Sequence, residues 1–118
     1  MTDILTPEAV EQQIRQISNR IANSVKECTD RYREFMRADL EYDHAYAKAY
    51  LSCEGPAHEK RYAAEVATRT EREARDLADV AYRHVDRLAK ALDAELRAMQ
   101  SVGASIRSMF SVAGRGES

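Results

Sequence analysis

Glycine and proline are scarce in this 118-residue chain, four of one and two of the other, and they are not scattered. Thr6-Pro7-Glu8 opens the sequence, Cys53-Glu54-Gly55-Pro56 interrupts it near the middle, and Gly114-Arg115-Gly116 closes it, leaving Gly103 as the exception. So few breaks exclude a fold of many short elements joined by turns. Cysteine is nearly absent too: Cys28 and Cys53 are too few for a disulfide framework and read as free cytosolic thiols. An excess of either charge is missing. The net charge is −2, with seven basic and eight acidic residues over 6–52 and nine of each over 55–100. A protein that works by neutralising phosphates carries a basic excess, so charge does not indicate nucleic acid as a partner. No apolar run approaches the roughly 18–20 residues that span a bilayer, so no membrane is expected. The opening residues lack a basic segment followed by an apolar one, and the expected location is cytoplasmic. There is no glycine-rich phosphate loop, and neither His58 nor His84 stands in an arrangement that suggests nucleophilic catalysis. No enzyme and no cofactor are expected.

What is present is helix. Alanine, glutamate, arginine and leucine recur at helical spacing, and no stretch alternates long enough for a strand. Thr6 is placed to cap a helix, Pro7 suits its first position, and Glu8 faces the positive end of its dipole. Leu5 and Val10 occupy staple positions around that cap. An apolar stripe follows through Val10, Ile14, Ile17, Ile21, Val25, Cys28, Tyr32 and Phe35. Val10, Ile21 and Tyr32 lie eleven apart, which favours nearly straight packing over a left-handed supercoil. Tyr42, Tyr46, Ala49 and Tyr50 continue the stripe as a wetter seam beside Asp39 and Asp43.

Gly55 suits the end of this helix and Pro56 the first turn of the next. The second stripe is expected through Tyr62, Val66, Leu77, Val80, Ala81, His84, Val85, Leu88, Leu92, Leu96, Met99, Val102, Ile106 and Phe110. A short turn makes neighbouring helices antiparallel. Folding the chain back sets the Ile-rich start against the Leu-rich end and the Tyr-rich end against an Ala-rich segment. The expectation is therefore one all-α domain over 1–118, a long antiparallel two-helix hairpin. Its first helix covers about 7–52, its turn 53–56, its second helix about 57–110, and 111–118 form a frayed tail. Two helices alone bury too little to offset the ordering of roughly a hundred residues. Self-association is expected, as a homodimer forming a four-helix bundle or as something larger.

Few constellations could carry chemistry. Glu41 and His44 form a Glu-x-x-His on one helix face, the spacing used by carboxylate-bridged di-iron bundles, with Glu65 near the facing level. A solvated carboxylate and a surface histidine are expected there instead of a metal. His84 reads as a partly buried, hydrogen-bonded histidine. Arg69, Arg72, Arg75, Arg83 and Arg87 interleave with Glu71, Glu73, Asp76, Asp79 and Asp86, the pairing of an ordinary exposed helix. The segment from Leu96 to Phe110 differs. Charge falls away, and Gly103 enters a helix interior at a cost of about 1 kcal/mol relative to alanine. Close backbone contact, within a bundle or with a partner, gives that glycine a reason. The partner-contact residues expected on these grounds are Gln100, Gly103, Ile106, Arg107, Met109 and Phe110, with Tyr42, Tyr46 and Tyr50.

Ala81-Tyr82-Arg83-His84 and the run from Leu88 to Arg107 resemble the C-terminal half of small helical proteins encoded by phages and prophages, often beside replication and recombination genes. The resemblance covers about a quarter of the chain and brings no catalytic residues. It implies an accessory protein of a phage or mobile element, in a bacterial cytoplasm, that binds an unidentified host or phage protein. A nucleic-acid-binding accessory factor is the alternative. The turn and Tyr82-x-x-x-Asp86 are also similar to the small secreted hairpins marked by Trp-x-Gly. Here, however, the turn reads Cys53-Glu54-Gly55 without the tryptophan, and the second motif lies well inside a helix.

Overall fold

The computed structural model describes residues 5–116. The fold is all-α, and no strand occurs among the described residues: α1 is Pro7–Ser52, α2 is Ala57–Ala67 and α3 is Arg69–Gly116. The start of α1 is capped as its residues require. Thr6 Oγ1 accepts a hydrogen bond from the Ala9 amide at 3.2 Å, and the Thr6 carbonyl accepts the Val10 amide at 3.1 Å. The staple is less complete, since Leu5 stays exposed while Val10 is buried by α3.

α1 ends where glycine permits it. The Cys53 amide bonds back to the Tyr50 carbonyl, and Gly55 then takes φ +131°, a conformation that residues with a Cβ rarely adopt. Pro56 lies just before α2 instead of inside its first turn. Its carbonyl accepts the Glu59 and Lys60 amides, each at 3.1 Å.

The second helical run, expected to be unbroken, is divided at Thr68. This residue is buried, and its hydroxyl donates to the Ala64 carbonyl at 2.6 Å, the same oxygen that accepts the Thr68 amide at 3.1 Å. A threonine hydroxyl that bonds four residues back bends a helix, and Thr68 sits at φ −112°, ψ 21°. At the other end, α3 continues to Gly116, past the expected stop at Phe110. Ser111-Val112-Ala113 contains no residue that would end it.

The described residues form two compact units. The first combines α1 up to Val25 with α3 from Arg87 onward. Its interior is aliphatic: Val10, Ile17, Leu92 and Ile106 are buried, Val10 beside Gly103. The stripes depart from expectation where Ser24 turns inward and Val25 outward, and Tyr32, Leu88 and Phe110, also expected inward, are exposed. The Ser24 hydroxyl is satisfied within α1 by the Ile21 carbonyl at 2.7 Å.

The second unit is Lys26–Asp86. Ala38, Ala64 and Val85 are its buried apolar residues, with half-buried Phe35, Tyr42, Tyr46, Tyr50 and Tyr82 around them. Here the expected inward face of the second run is wrong over 62–80. Tyr62, Val66, Leu77 and Val80 are exposed, Val66 to 80% and Leu77 to 71%. Ala64, Thr68, Ala78 and Tyr82 face inward in their place. Half-buried tyrosine rings of α1 share this interior with the small side chains of Ala64, Thr68 and Ala78 and with Tyr82. The larger apolar groups turn outward.

Candidate functional site

In the first unit, Glu11, Ile14 and Arg15 of α1 and Gln100 and Arg107 of α3 line an open groove of about 380 Å³. Gly103 lies beneath it. A Cβ on that glycine would meet Val10 Cγ1 at 3.1 Å, Arg107 Nη1 at 3.7 Å and Ile14 Cδ1 at 3.8 Å. The unusual glycine thus lets Val10 of α1 approach α3 closely, while the Arg107 guanidinium folds back over its own helix at an ordinary contact distance. Of the residues expected to touch a partner, Gly103 and Ile106 are spent on this internal packing. Gln100 and Arg107 line the groove, and Met109 and Phe110 are exposed. Sequence reading missed Arg15 and Glu11 as members of the site. They reach it only through the pairing of α1 with α3.

In the second unit, the tyrosines near the turn form a ladder. Tyr42 and Tyr46 stack at 6.2 Å between centroids and Tyr46 and Tyr50 at 6.4 Å, with interplanar angles of 16° and 25°. Cations cover its two ends: Arg75 lies 4.5 Å from the Tyr42 centroid and Lys60 lies 5.6 Å from that of Tyr50. Arg75 also pairs with Asp39 at 3.8 Å and Asp76 at 3.2 Å. Tyr46 and Tyr50 line a shallow groove with Ala57, His58 and Arg61. Further along, Tyr32 meets Tyr82 at 5.1 Å between centroids. The expected tyrosine contacts are therefore already engaged with cations and with one another.

The apolar groups turned outward form faces of their own. Met36 and Leu40, 55% and 70% exposed, line a groove of about 620 Å³ with Arg33, Arg37, Asp39 and Asp43. Leu77 and Val80 line another with Glu73 and Asp76. Along the rims, ion pairs run mostly within one helix. Arg37 bonds Glu34 and Glu41, Arg69 bonds Glu73 at 3.1 Å, and Arg83 bonds Asp79 at 2.9 Å. The bond from Arg37 holds the Glu34 carboxyl below its usual range and raises the guanidinium in turn.

Glu41 and His44 lie on one groove with Leu40, Ala45 and Glu71; the facing carboxylate is thus Glu71 and not Glu65. One Glu71 carboxylate oxygen is buried and has no hydrogen-bond partner. Among the described residues, no group of three or more His, Cys, Asp and Glu side chains is placed to hold a metal ion. His84, expected to be partly buried, is exposed. Cys28 and Cys53 are both free, and burial followed by the charges of Asp86 and Glu27 pushes the Cys28 thiol up from its ordinary value. No described helix is long and apolar enough to cross a membrane. Comparison with known proteins identifies no relative: no protein family, no curated protein and no solved structure matches the chain.

Proposed function

We propose that this chain is a non-enzymatic helical interaction protein. It folds as a long antiparallel two-helix hairpin, pairs with a second copy into a four-helix bundle, and presents a helical face to a host or phage protein. Its setting is the bacterial cytoplasm, as an accessory factor of a phage or mobile element acting beside DNA replication or recombination.

The observation that carries the reading is the inversion of size in the second unit. Alanines and a threonine are buried there, while Met36, Leu40, Leu51, Val66, Leu77 and Val80 are exposed. Single exposed apolar residues are ordinary, but neighbours on one helix face form a patch. Met36 and Leu40 are one turn apart, as are Leu77 and Val80. Each such side chain contributes about 1.5–3 kcal/mol when fully buried, and a second copy gains that term at both of its faces. An interior whose fully buried apolar residues are Ala38, Ala64 and Val85 offsets less of the conformational entropy lost on ordering the unit than a large aliphatic core does.

Sedimentation velocity at micromolar concentration tests the reading. The wild-type chain is expected to sediment above its 13.4 kDa chain mass, and a Leu40→Glu, Leu77→Glu variant to shift toward that mass. A helical wild-type chain that remains at 13.4 kDa overturns it.

A further inference from the structure

We infer that the Arg15–Arg107 groove of the first unit is a carboxylate-binding site, which receives one acidic side chain of a protein partner. The inference rests on the reading of the chain as an interaction protein, but on a different surface from the faces assigned to self-association.

Three observations converge on it. First, the two guanidinium groups line one groove, and among the described residues neither has an ion-pair or hydrogen-bond partner. Elsewhere Arg33, Arg37, Arg69, Arg83 and Arg97 hold a carboxylate three or four residues away on their own helix, and Arg20, Arg72 and Arg87, which hold none among the described residues, line none of the grooves described above. Arg107 has no such neighbour, because Gly103, Ala104, Phe110 and Ser111 occupy those positions and no acidic residue occurs over 96–116. Second, the packing gives the guanidinium a seat. Arg107 Nη1 and Ile14 Cδ1 lie over Gly103, 3.7 and 3.8 Å from where a Cβ would stand, so the guanidinium rests against its own helix with Ile14 beside it as an apolar wall.

Third, the charges select the ligand. Two arginines against Glu11 leave the groove with a single net positive charge. One carboxylate neutralises it, whereas a phosphate dianion would overshoot and be repelled by Glu11. Arginine's planar fork matches a carboxylate in two parallel hydrogen bonds, and Gln100 adds a neutral amide at the rim. Exposed ion pairs contribute little singly, so one acidic side chain binds weakly and serves to fix register within a larger contact.

The test uses the full chain labelled with ¹⁵N, observing arginine Nε–H and backbone amide signals. The probe is a capped alanine-rich helical peptide carrying one glutamate. Its controls are the glutamine twin, inorganic phosphate and a single-stranded oligonucleotide, all at equal ionic strength. The Arg15 and Arg107 Nε–H signals and the Gly103 amide are expected to shift saturably with the glutamate peptide and not with its twin. Arg107→Gln and Arg15→Gln are each expected to weaken binding about threefold. Arg107→Lys should weaken it by less, and Arg20→Gln, outside the groove, should leave it unchanged. Equal shifts with the glutamine twin, unmoved Arg15 and Arg107 signals, or tighter binding of phosphate or oligonucleotide overturn the assignment. Sedimentation of the same variants separates the two readings. Loss of peptide binding with self-association intact is expected for Arg107→Gln. A wild-type chain that binds the peptide as a monomer sinks self-association alone.

Discussion

The two units are built from the same helices and hold together differently. In the first, Val10, Ile17, Leu92 and Ile106 are buried, Val10 against Gly103, and aliphatic burial supplies the cohesion. In the second, rings stack on rings, Arg75 and Lys60 cover the ladder ends, and the buried apolar positions are small. The first unit buries Val10, Ile17, Leu92 and Ile106, although Leu5, Val25, Leu88, Met109 and Phe110 stay exposed. The second turns Met36, Leu40, Leu77 and Val80 outward. An interior that spares such residues, and displays them one helical turn apart, is better suited to docking than to standing alone. The self-association proposed above is assigned to the second unit, and the proposed carboxylate site to the arginine groove of the first.

The largest expected effect breaks the contrast at its aliphatic side. Leu92→Ala removes a buried side chain and is expected to cost about 3 kcal/mol at any protein concentration. Leu40→Ala, at an exposed position, should cost stability only at concentrations where copies associate, and within about 0.5 kcal/mol when dilute. Urea unfolding at two concentrations checks both. Equal, concentration-independent losses for the two variants would erase the distinction between the units.

Gly103→Ala comes next. Alanine gains about 1 kcal/mol of helix propensity, but its Cβ would press on Val10 Cγ1 at 3.1 Å, and Val10 is fully buried with nowhere to yield. Overpacking costs about 1–3 kcal/mol, so a net loss of about 1 kcal/mol is expected. Adding Val10→Ala should make the glycine replacement itself favourable, which a double-mutant cycle would show. A stabilised single variant would mean that close approach is not what this glycine provides.

Arg75→Gln tests the other side. It removes the contact over Tyr42 and the pairs to Asp39 and Asp76, with an expected loss of about 1 kcal/mol that does not depend strongly on salt. Arg69→Gln, whose pair with Glu73 is exposed, should change stability by no more than about 0.5 kcal/mol, and less in high salt.

The smallest effect concerns Cys28. Burial and neighbouring acidic charge favour its neutral form, so the thiolate appears only at a higher pH than for an unperturbed thiol. The pH profile of iodoacetamide modification at Cys28 should have its midpoint above that of a free thiol, and unfolding should bring it back down. A midpoint at or below the free value would contradict the burial.

Local chemistry was legible in the sequence wherever it acts locally. The Thr6 cap and the Gly55 break depend on a few consecutive residues, and the structure contains both. Periodicity could reveal an apolar stripe on the second run but not which stripe faces inward. Val66, Leu77 and Val80 form a better stripe by hydrophobicity than Ala64, Thr68 and Ala78. The structure turns the smaller set inward, into an interior it shares with half-buried tyrosine rings. The slip from Val25 to Ser24 is similar: a serine hydroxyl bonded within its own helix loses much of the cost of burial. Thr68 divides a run that spacing alone treats as continuous, since its effect comes from one side-chain hydrogen bond. Gly103 stood out because no turn explained it, yet its neighbours Arg15 and Glu11 were invisible. They join it through tertiary pairing alone.

The dependence of unfolding on protein concentration tests most directly whether the outward faces of the second unit serve a second copy. Urea unfolding followed by helical circular dichroism at about 1 and about 100 µM should give a midpoint that rises with concentration, because association stabilises only the folded state. In Leu40→Glu, Leu77→Glu the rise should disappear while helicity at the higher concentration is kept. A wild-type midpoint that is the same at both concentrations, with a fully helical chain, would contradict it.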